Sequence, residues 1–258
     1  MALSFNNVTY KSNLKKFNYD FEDGKITTIV SGESLSYFTY LISNLEKDYN
    51  GKITNTYKGR NIGVVFNNPE EAFIFNTVRE ELEFGLKKYN YKVSTINKRI
   101  EDSLKMVNLP KEYLDKSPFE LSSGEKESLA LGIVLSLNPK LIIIDNPTSN
   151  LDSRNKEYLI KLLKKIETRY NKTIILLTSD IEFTIKVTDN YLILKNDKII
   201  SSGVKKELLN NISKIKTSKV EIPKIIDFIN AVKKKKNINL ELTFDVKELM
   251  KDIYRNVK

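Results

Sequence analysis

The chain has 258 residues, 40% of them hydrophobic and 29% charged, which suits one large domain or a domain with an appendage around a sizeable core. Cysteine and histidine are both absent, excluding disulfides, thiolate metal sites and the commonest general base. The net charge of +10 raises nucleic-acid or membrane binding, but Lys and Arg are spread along the chain, and the one dense run, Lys233–Lys236, reads as a solvated helix end. No nucleic-acid partner is expected. No apolar stretch approaches the roughly 18 residues of a membrane span, and the opening MALSFNNVTYKSN lacks a signal-peptide core, so a soluble, cytoplasmic chain is expected.

Leu3–Tyr10 alternates like an edge or hairpin strand. Lys25–Val30 is a β-branched run leading to a turn at Ser31–Gly32 and a helical stretch to about Leu45. Asn61–Phe66 reads as a buried strand, and from Thr77 to about Leu109 apolar residues recur at helical spacing. A further helix covers Gly124–Leu137. Leu141–Ile144 and Thr173–Leu177 have the continuous apolar character of parallel strands, separated by an amphipathic helix over Asn155–Tyr170. Tyr191–Leu194 and Lys198–Ser201 form a hairpin pattern. Beyond about Lys205 come short lysine-rich helices at Ile212–Lys216, Pro223–Lys234 and Val246–Tyr254. Alternating strands and helices predict an α/β sheet with ligands at the strand carboxyl ends.

The segment LSSGEKESLALGIVLSLNPKLIIIDNPTSNLD, Leu121 to Asp152, resembles the ATP-binding subunits of ABC transporters, with signature loop, helix, Walker B strand and D-loop in order. GVVFNNPEEAFIFNTVREELEFGLKKYN at 63–90 and the C-terminal VEIPKIIDFINAVKKKKNINLELTFDVKELMKDI are similar to the energy-coupling-factor (ECF) subclass, whose two ATPase subunits interlock through that extension. The resemblance implies an ABC nucleotide-binding domain over 1–204, with a RecA-like P-loop core, an antiparallel β subdomain and a helical subdomain at about 77–138. Residues 205–258 would then be a helical dimerisation extension.

A P-loop needs glycines for its backbone nest, a lysine for the phosphate charge and a hydroxyl for magnesium. Here the loop reads Ser31, Gly32, Glu33, Ser34, Leu35, Ser36, Tyr37, Phe38, Thr39, with Tyr37 at the lysine and Phe38 at the magnesium hydroxyl. Ser31, Ser34 and Ser36 stand at glycine positions, and Glu33 adds charge repulsive to phosphate. Against the family pattern, Asn67 stands at the Q-loop glutamine, Asn146 at the catalytic glutamate and Ser179 at the switch histidine. The stacking aromatic falls near Ser12, with Tyr10 displaced from it. An amide cannot take a proton from water, which forfeits about 10²–10⁴ in rate. Asp145 keeps the Walker B carboxylate, either as a remnant ligand or as a buried polar cap.

The half that acts in trans is retained. Ser122, Ser123, Gly124 and Glu125 occupy the family's Ser-Gly-Gly-Gln, and the D-loop keeps Asp152. Ser122 reads either as a donor to the partner's γ-phosphate or as a helix N-cap. Glu70, Glu71, Phe73 and Phe75 are candidates for a coupling surface; the aromatics read equally as core of the helical subdomain. The resemblance thus implies a degenerate subunit of an ECF-type importer, with ATP and Mg bound mainly by a complete partner subunit and none expected at its own site. It also implies transmembrane scaffold and substrate-binding subunits as partners, and residence at the cytoplasmic face of the membrane. A catalytically active ATPase with an atypical site, and a regulatory protein keeping the fold for dimerisation, are the rival readings.

Overall fold

The computed structural model describes residues 2–208, 211, 220, 224–236, 238, 240, 243 and 246–256. Leu3–Tyr10 (β1) turns Leu3, Phe5, Val8 and Tyr10 inward, and a bulge at Asn7 (φ +52°) keeps Val8 and Tyr10 on that side. It pairs antiparallel with Leu14–Phe21 (β2) and, on its other side, with Asn50–Asn55 (β4). Of the two readings of this strand, edge or hairpin, the hairpin one fits and the edge one does not, because β1 is the middle strand of three.

The second sheet holds Ile26–Val30 (β3), Ile62–Val65 (β5), Leu141–Asp145 (β6), Thr173–Thr178 (β7), Asn190–Lys195 (β8) and Lys198–Val204 (β9) in the order β5-β6-β7-β3-β8-β9. All neighbours are parallel except β8 and β9. Every residue of β3, β6 and β7 is buried, as parallel strands covered on both faces require.

Helices Ser36–Ile42 (α1), Val78–Lys88 (α2), Val93–Val107 (α3), Ser123–Ser136 (α4), Ser153–Tyr170 (α5), Ile181–Val187 (α6) and Lys205–Leu208 (α7) follow in chain order, then Lys224–Lys236 (α8) and Val246–Asn256 (α9). One apolar core joins α2, α3 and α4 to α5 and one face of the sheet; a second lies between the two sheets. A third places Ile226 and Ile229 of α8 and Leu249 of α9 with Val30, Tyr191 and Ile193. The α/β core, the antiparallel sheet and the helical region are therefore all present.

The helical stretch after Thr77 divides into α2 and α3 around Asn90, which takes a left-handed φ of +56°. Strand β2 escaped the sequence pattern because Lys16 bulges (φ +50°) and breaks its alternation. Strand β4 exposes half of its residues and buries none, and the seven-residue α6 (IEFTIKV) is β-branched enough to mask its period. The predicted helix Ile212–Lys216 and the predicted start at Pro223 lie outside the described residues.

Candidate nucleotide site and signature loop

Parallel registry brings the carboxyl ends of β3, β5, β6 and β7 to one edge, where Val30 lies beside Thr178 and Asp145 beside Leu177. The turns that follow bring Ser31, Asn67, Asn146 and Ser179 around one cleft. The predicted residues of the loop up to Ser36, with Asn67, Asp145, Asn146 and Ser179, thus converge, whereas Tyr37, Phe38 and Thr39 do not line the cleft. The cleft is small, about 170 Å³, against a usual ligand range of roughly 300–1,000 Å³.

Its floor is built for packing rather than for phosphate. No residue from 31 to 36 has a positive φ, so the αR-αL alternation of an anion nest is missing. Ser31 instead closes the loop on itself, its hydroxyl accepting the Glu33 N–H at 3.0 Å. Leu35 begins α1 with no side-chain cap. Phe38 is fully buried between Phe17 (5.1 Å, edge-to-face) and Phe5 (6.0 Å). Thr39 is buried too, and its hydroxyl has no partner among the described residues. Tyr37 stacks on Phe38 at 4.8 Å and on Tyr10 at 6.1 Å, while the Tyr10 hydroxyl reaches Glu46 at 3.2 Å. Burial, with Asp197 and Glu33 nearby, pushes the Tyr37 hydroxyl pKa upward, so it stays neutral where a cation is needed. Tyr10 is therefore committed to Tyr37 and offers no face for a base.

Two amides close the mouth: Asn146 Nδ2 donates to Asn67 Oδ1 at 3.1 Å. Asn146 sits at φ +54°, its N–H on Leu177 O at 2.7 Å. Asp145 is buried, and burial raises its carboxyl above the usual range despite a hydrogen bond from Ser36. Ser179 is exposed; its neighbour Asp180 caps α6 and binds Lys156 at 2.8 Å and Thr148 at 3.2 Å. Burial of Asp180 is outweighed by Lys156, the Phe183 N–H and Thr148, leaving its carboxyl below the ordinary value. No three acidic side chains converge in metal-binding geometry among the described residues. These residues do not fit a magnesium nucleotide.

The signature loop is differently built. Ser122 N-caps α4, its hydroxyl accepting the Glu125 N–H at 3.4 Å. Glu125 Oε2 in turn accepts the Ser122 N–H at 2.8 Å and the Ser122 hydroxyl at 2.7 Å, completing a capping box. Those bonds from Ser122, with the Tyr113 hydroxyl at 2.9 Å, hold the Glu125 carboxyl below its ordinary range. The helix-cap reading of Ser122 is thus present: it caps α4, and its hydroxyl, at an exposed residue, is donated to Glu125. Glu127, which the sequence did not single out, ties α4 to the D-loop through Ser149 (3.1 Å) and Asn150 (2.8 Å). Its other oxygen is buried without a partner among the described residues, and burial raises its carboxyl. Asp152 is spent on capping α5 through the Asn155 N–H at 2.7 Å.

Of the coupling candidates, Phe73 takes the core alternative: it is buried against Phe119 at 6.3 Å. Glu70 is paired with Lys126 at 2.8 Å, Glu71 accepts from Asn68 at 2.9 Å, and Phe75 packs on Phe84 at 5.1 Å. The exposed apolar residues here are Ile74, Phe84 and Phe119.

A parallel sheet with a strand-turn-helix at its switch point, a flanking antiparallel sheet and a capped signature helix define an ABC-type ATP-binding domain. The ABC transporter family model matches residues 14–149. The chain is 31% identical to the energy-coupling factor transporter ATP-binding protein EcfA1 of Mycoplasma mobile over 93% of this chain and 89% of that one. It is 27% identical to the corresponding EcfA2 of Clostridium acetobutylicum over 99% and 98%. Among solved structures it superposes with cbiO1 of Clostridium perfringens, part of the ABC transporter complex cbiONQ, at TM-score 0.73 and 25% identity, covering 89% of this chain and 98% of that one. A bacterial ABC transporter cassette solved as a dimer gives TM-score 0.70 at 26% identity, covering 79% and 98%. The chain belongs to the ABC transporter ATP-binding family, in its energy-coupling-factor branch.

Proposed function

We propose that this chain is the degenerate ATPase subunit of an ECF-type importer, bound at the cytoplasmic face of the membrane to the transmembrane scaffold and substrate-binding subunits. It pairs with a second ABC subunit whose P-loop is intact, and ATP and magnesium are held there. The observation that carries this reading is the asymmetry of the chain: its own phosphate loop is filled with buried aromatics while Ser122, Ser123 and Gly124 remain presented at the start of α4. The N-terminus of a fourteen-residue helix offers N–H donors and a positive dipole end to a phosphate held by a partner. A Cβ at Gly124 would meet Asn150 O at 3.5 Å and Leu151 at 3.7 Å, ordinary contact, so small substitutions there are tolerated by the fold.

Two substitutions test the reading on the purified two-ATPase complex. Gly124→Asp puts a like charge at the donor end and should lower ATP turnover by about 10²–10³, the usual cost of a lost transition-state donor. Glu125→Gln removes a carboxylate that opposes phosphate while keeping a residue able to close the capping box, and should raise turnover. Calorimetry on the isolated chain should show no MgATP binding. Unchanged turnover in Gly124→Asp, or micromolar MgATP binding by the chain alone, would overturn the assignment. The Glu125 carboxylate favours one rival, a regulatory ABC-fold protein, and that rival predicts no response to either substitution.

A further inference from the structure

At the opposite edge from the nucleotide cleft, where β6 and β7 begin, a groove of about 930 Å³ opens between α3, the end of α4 and the end of α5. It is lined by Lys98, Arg99, Lys105 and Lys172 with one acidic residue, Asp102: four positive charges against one. Lys172 is unusual. It is only 9% exposed, and no carboxylate pairs with it among the described residues. Buried ammonium groups are ordinarily paired, because desolvation costs several kcal/mol.

Among the described residues, Lys172 is held by carbonyl oxygen, and Arg99 by carbonyl oxygen and the face of Tyr91 at 4.6 Å. Lys172 donates to Asn138 O at 3.3 Å and Arg99 to Ser136 O at 2.8 Å, both at the carboxyl end of α4. A helix end carries roughly half a negative charge, too little to offset two cations with Lys140 acting on Lys172 as well. Burial, followed by repulsion from Lys140 and Arg99, lowers the Lys172 pKa. The groove is also met by the start of α3, at Ser94 and Thr95, a fifteen-residue helix with no side-chain cap and no acidic residue in its first turn. Two unneutralised positive features thus face one space, whose remaining walls are apolar: Met106, Leu135, Pro139, Ile142, Ile166 and the half-exposed ring of Tyr170.

We infer that this groove binds a small phosphate monoester with a flat or apolar body, its phosphate between Lys172, Lys98 and the start of α3 and its body against Tyr170. Volume decides against a bare inorganic anion, since the groove lies in the range of drug-sized and cofactor-sized ligands. The site is separate from the nucleotide cleft and needs no magnesium, because the protein supplies the positive charge.

Metal-free AMP is the probe, titrated calorimetrically into the full-length chain at low salt, with adenosine and inorganic phosphate as its halves. AMP should bind, each half should bind at least about tenfold more weakly, and Lys172→Met should lose about tenfold or more, as expected for one charge-assisted hydrogen bond. Lys98→Ala, an exposed change that leaves the core alone, should weaken binding in the same direction. Asp102→Asn should strengthen it, and Lys198→Ala, a lysine far along the chain on β9, should change nothing. No AMP binding, or equal affinity in Lys98→Ala and a folded Lys172→Met, would overturn the site. So would capture by anionic phosphatidylglycerol vesicles without AMP binding, which would make this face a membrane contact.

Discussion

Single residues separate what survives in this subunit from what does not. Asn146 occupies a left-handed backbone position (φ +54°) that Asn tolerates and a longer β-substituted side chain resists. Asn146→Glu should therefore restore no hydrolysis: the new carboxylate faces a cleft whose loop, Ser31 to Ser36, carries no cation, from a conformation costing roughly 1–2 kcal/mol. A gain in turnover by the assembled complex would show that chemistry occurs on this side. Asp145 supplies a pH signature. Its folded-state pKa lies above the ordinary 3.8, so its contribution to stability is fully present below that value and is lost as pH rises through the folded value. At pH 7 the buried carboxylate costs stability, and Asp145→Asn should raise Tm there, with the advantage shrinking as pH falls towards 4. Melting curves across that range check it; a lower Tm at pH 7 would mean the charge is stabilised by groups other than Ser36. Substitution at the glycine, lysine and hydroxyl positions was readable in sequence because phosphate chemistry names residue types. That Tyr10 would cover Tyr37, and that Glu127 would reach the D-loop, was not readable, since both depend on contacts across long separations.

At the scale of elements, the chain compensates for having only 9 glycines by ending its helices on asparagine. Asn44, Asn90, Asn108, Asn138 and Asn171, all at positive φ, lie at or just beyond the ends of α1, α2, α3, α4 and α5. The sequence showed where helix periods stopped, and so the helical region and the buried parallel strands were legible from apolar spacing. The bulged β2 and half-exposed β4 were not, because their pairing to β1 comes from tertiary contact rather than alternation. The same holds for the loop that carries Ile74 and Phe75, part of the proposed coupling surface, whose order depends on α2. Glu81, buried there, accepts the N–H groups of Ile74 at 2.5 Å and Phe75 at 2.7 Å. Glu81→Ala strips two backbone donors of a charged acceptor and should cost about 2–3 kcal/mol in denaturant unfolding. It should also reduce capture of the chain by the membrane subunits more than Glu71→Ala does, since Glu71 bonds only the neighbouring Asn68. Equal capture by the two variants would remove the loop from the coupling surface.

On the scale of the whole molecule, the C-terminal helices cover their own core and, in the proposed heterodimer, also face the second subunit. Inward, Ile226, Ile229 and Leu249 cover Val30, Tyr191 and Ile193 of the sheet, so deleting the chain after Lys205 would open the third core and report on folding before it reported on pairing. Outward, α9 carries Val246, Met250 and Tyr254 at one-turn spacing, 64%, 46% and 73% exposed, while Leu249 points into the core. A heterodimer gives that stripe a place, because a homodimer would set two signature loops against two aromatic-filled phosphate loops and leave both idle. Met250→Glu with Tyr254→Glu changes only exposed positions, so stability should stay within about 0.5 kcal/mol of the parent. Charge placed on a buried interface should nevertheless weaken association with the complete ATPase subunit by about tenfold or more. Sedimentation of the mixed subunits, read beside a melting curve, separates the two effects. Tight pairing by the double variant would mean that α9 only covers its own core, and that the subunits meet through the signature and D-loop faces alone.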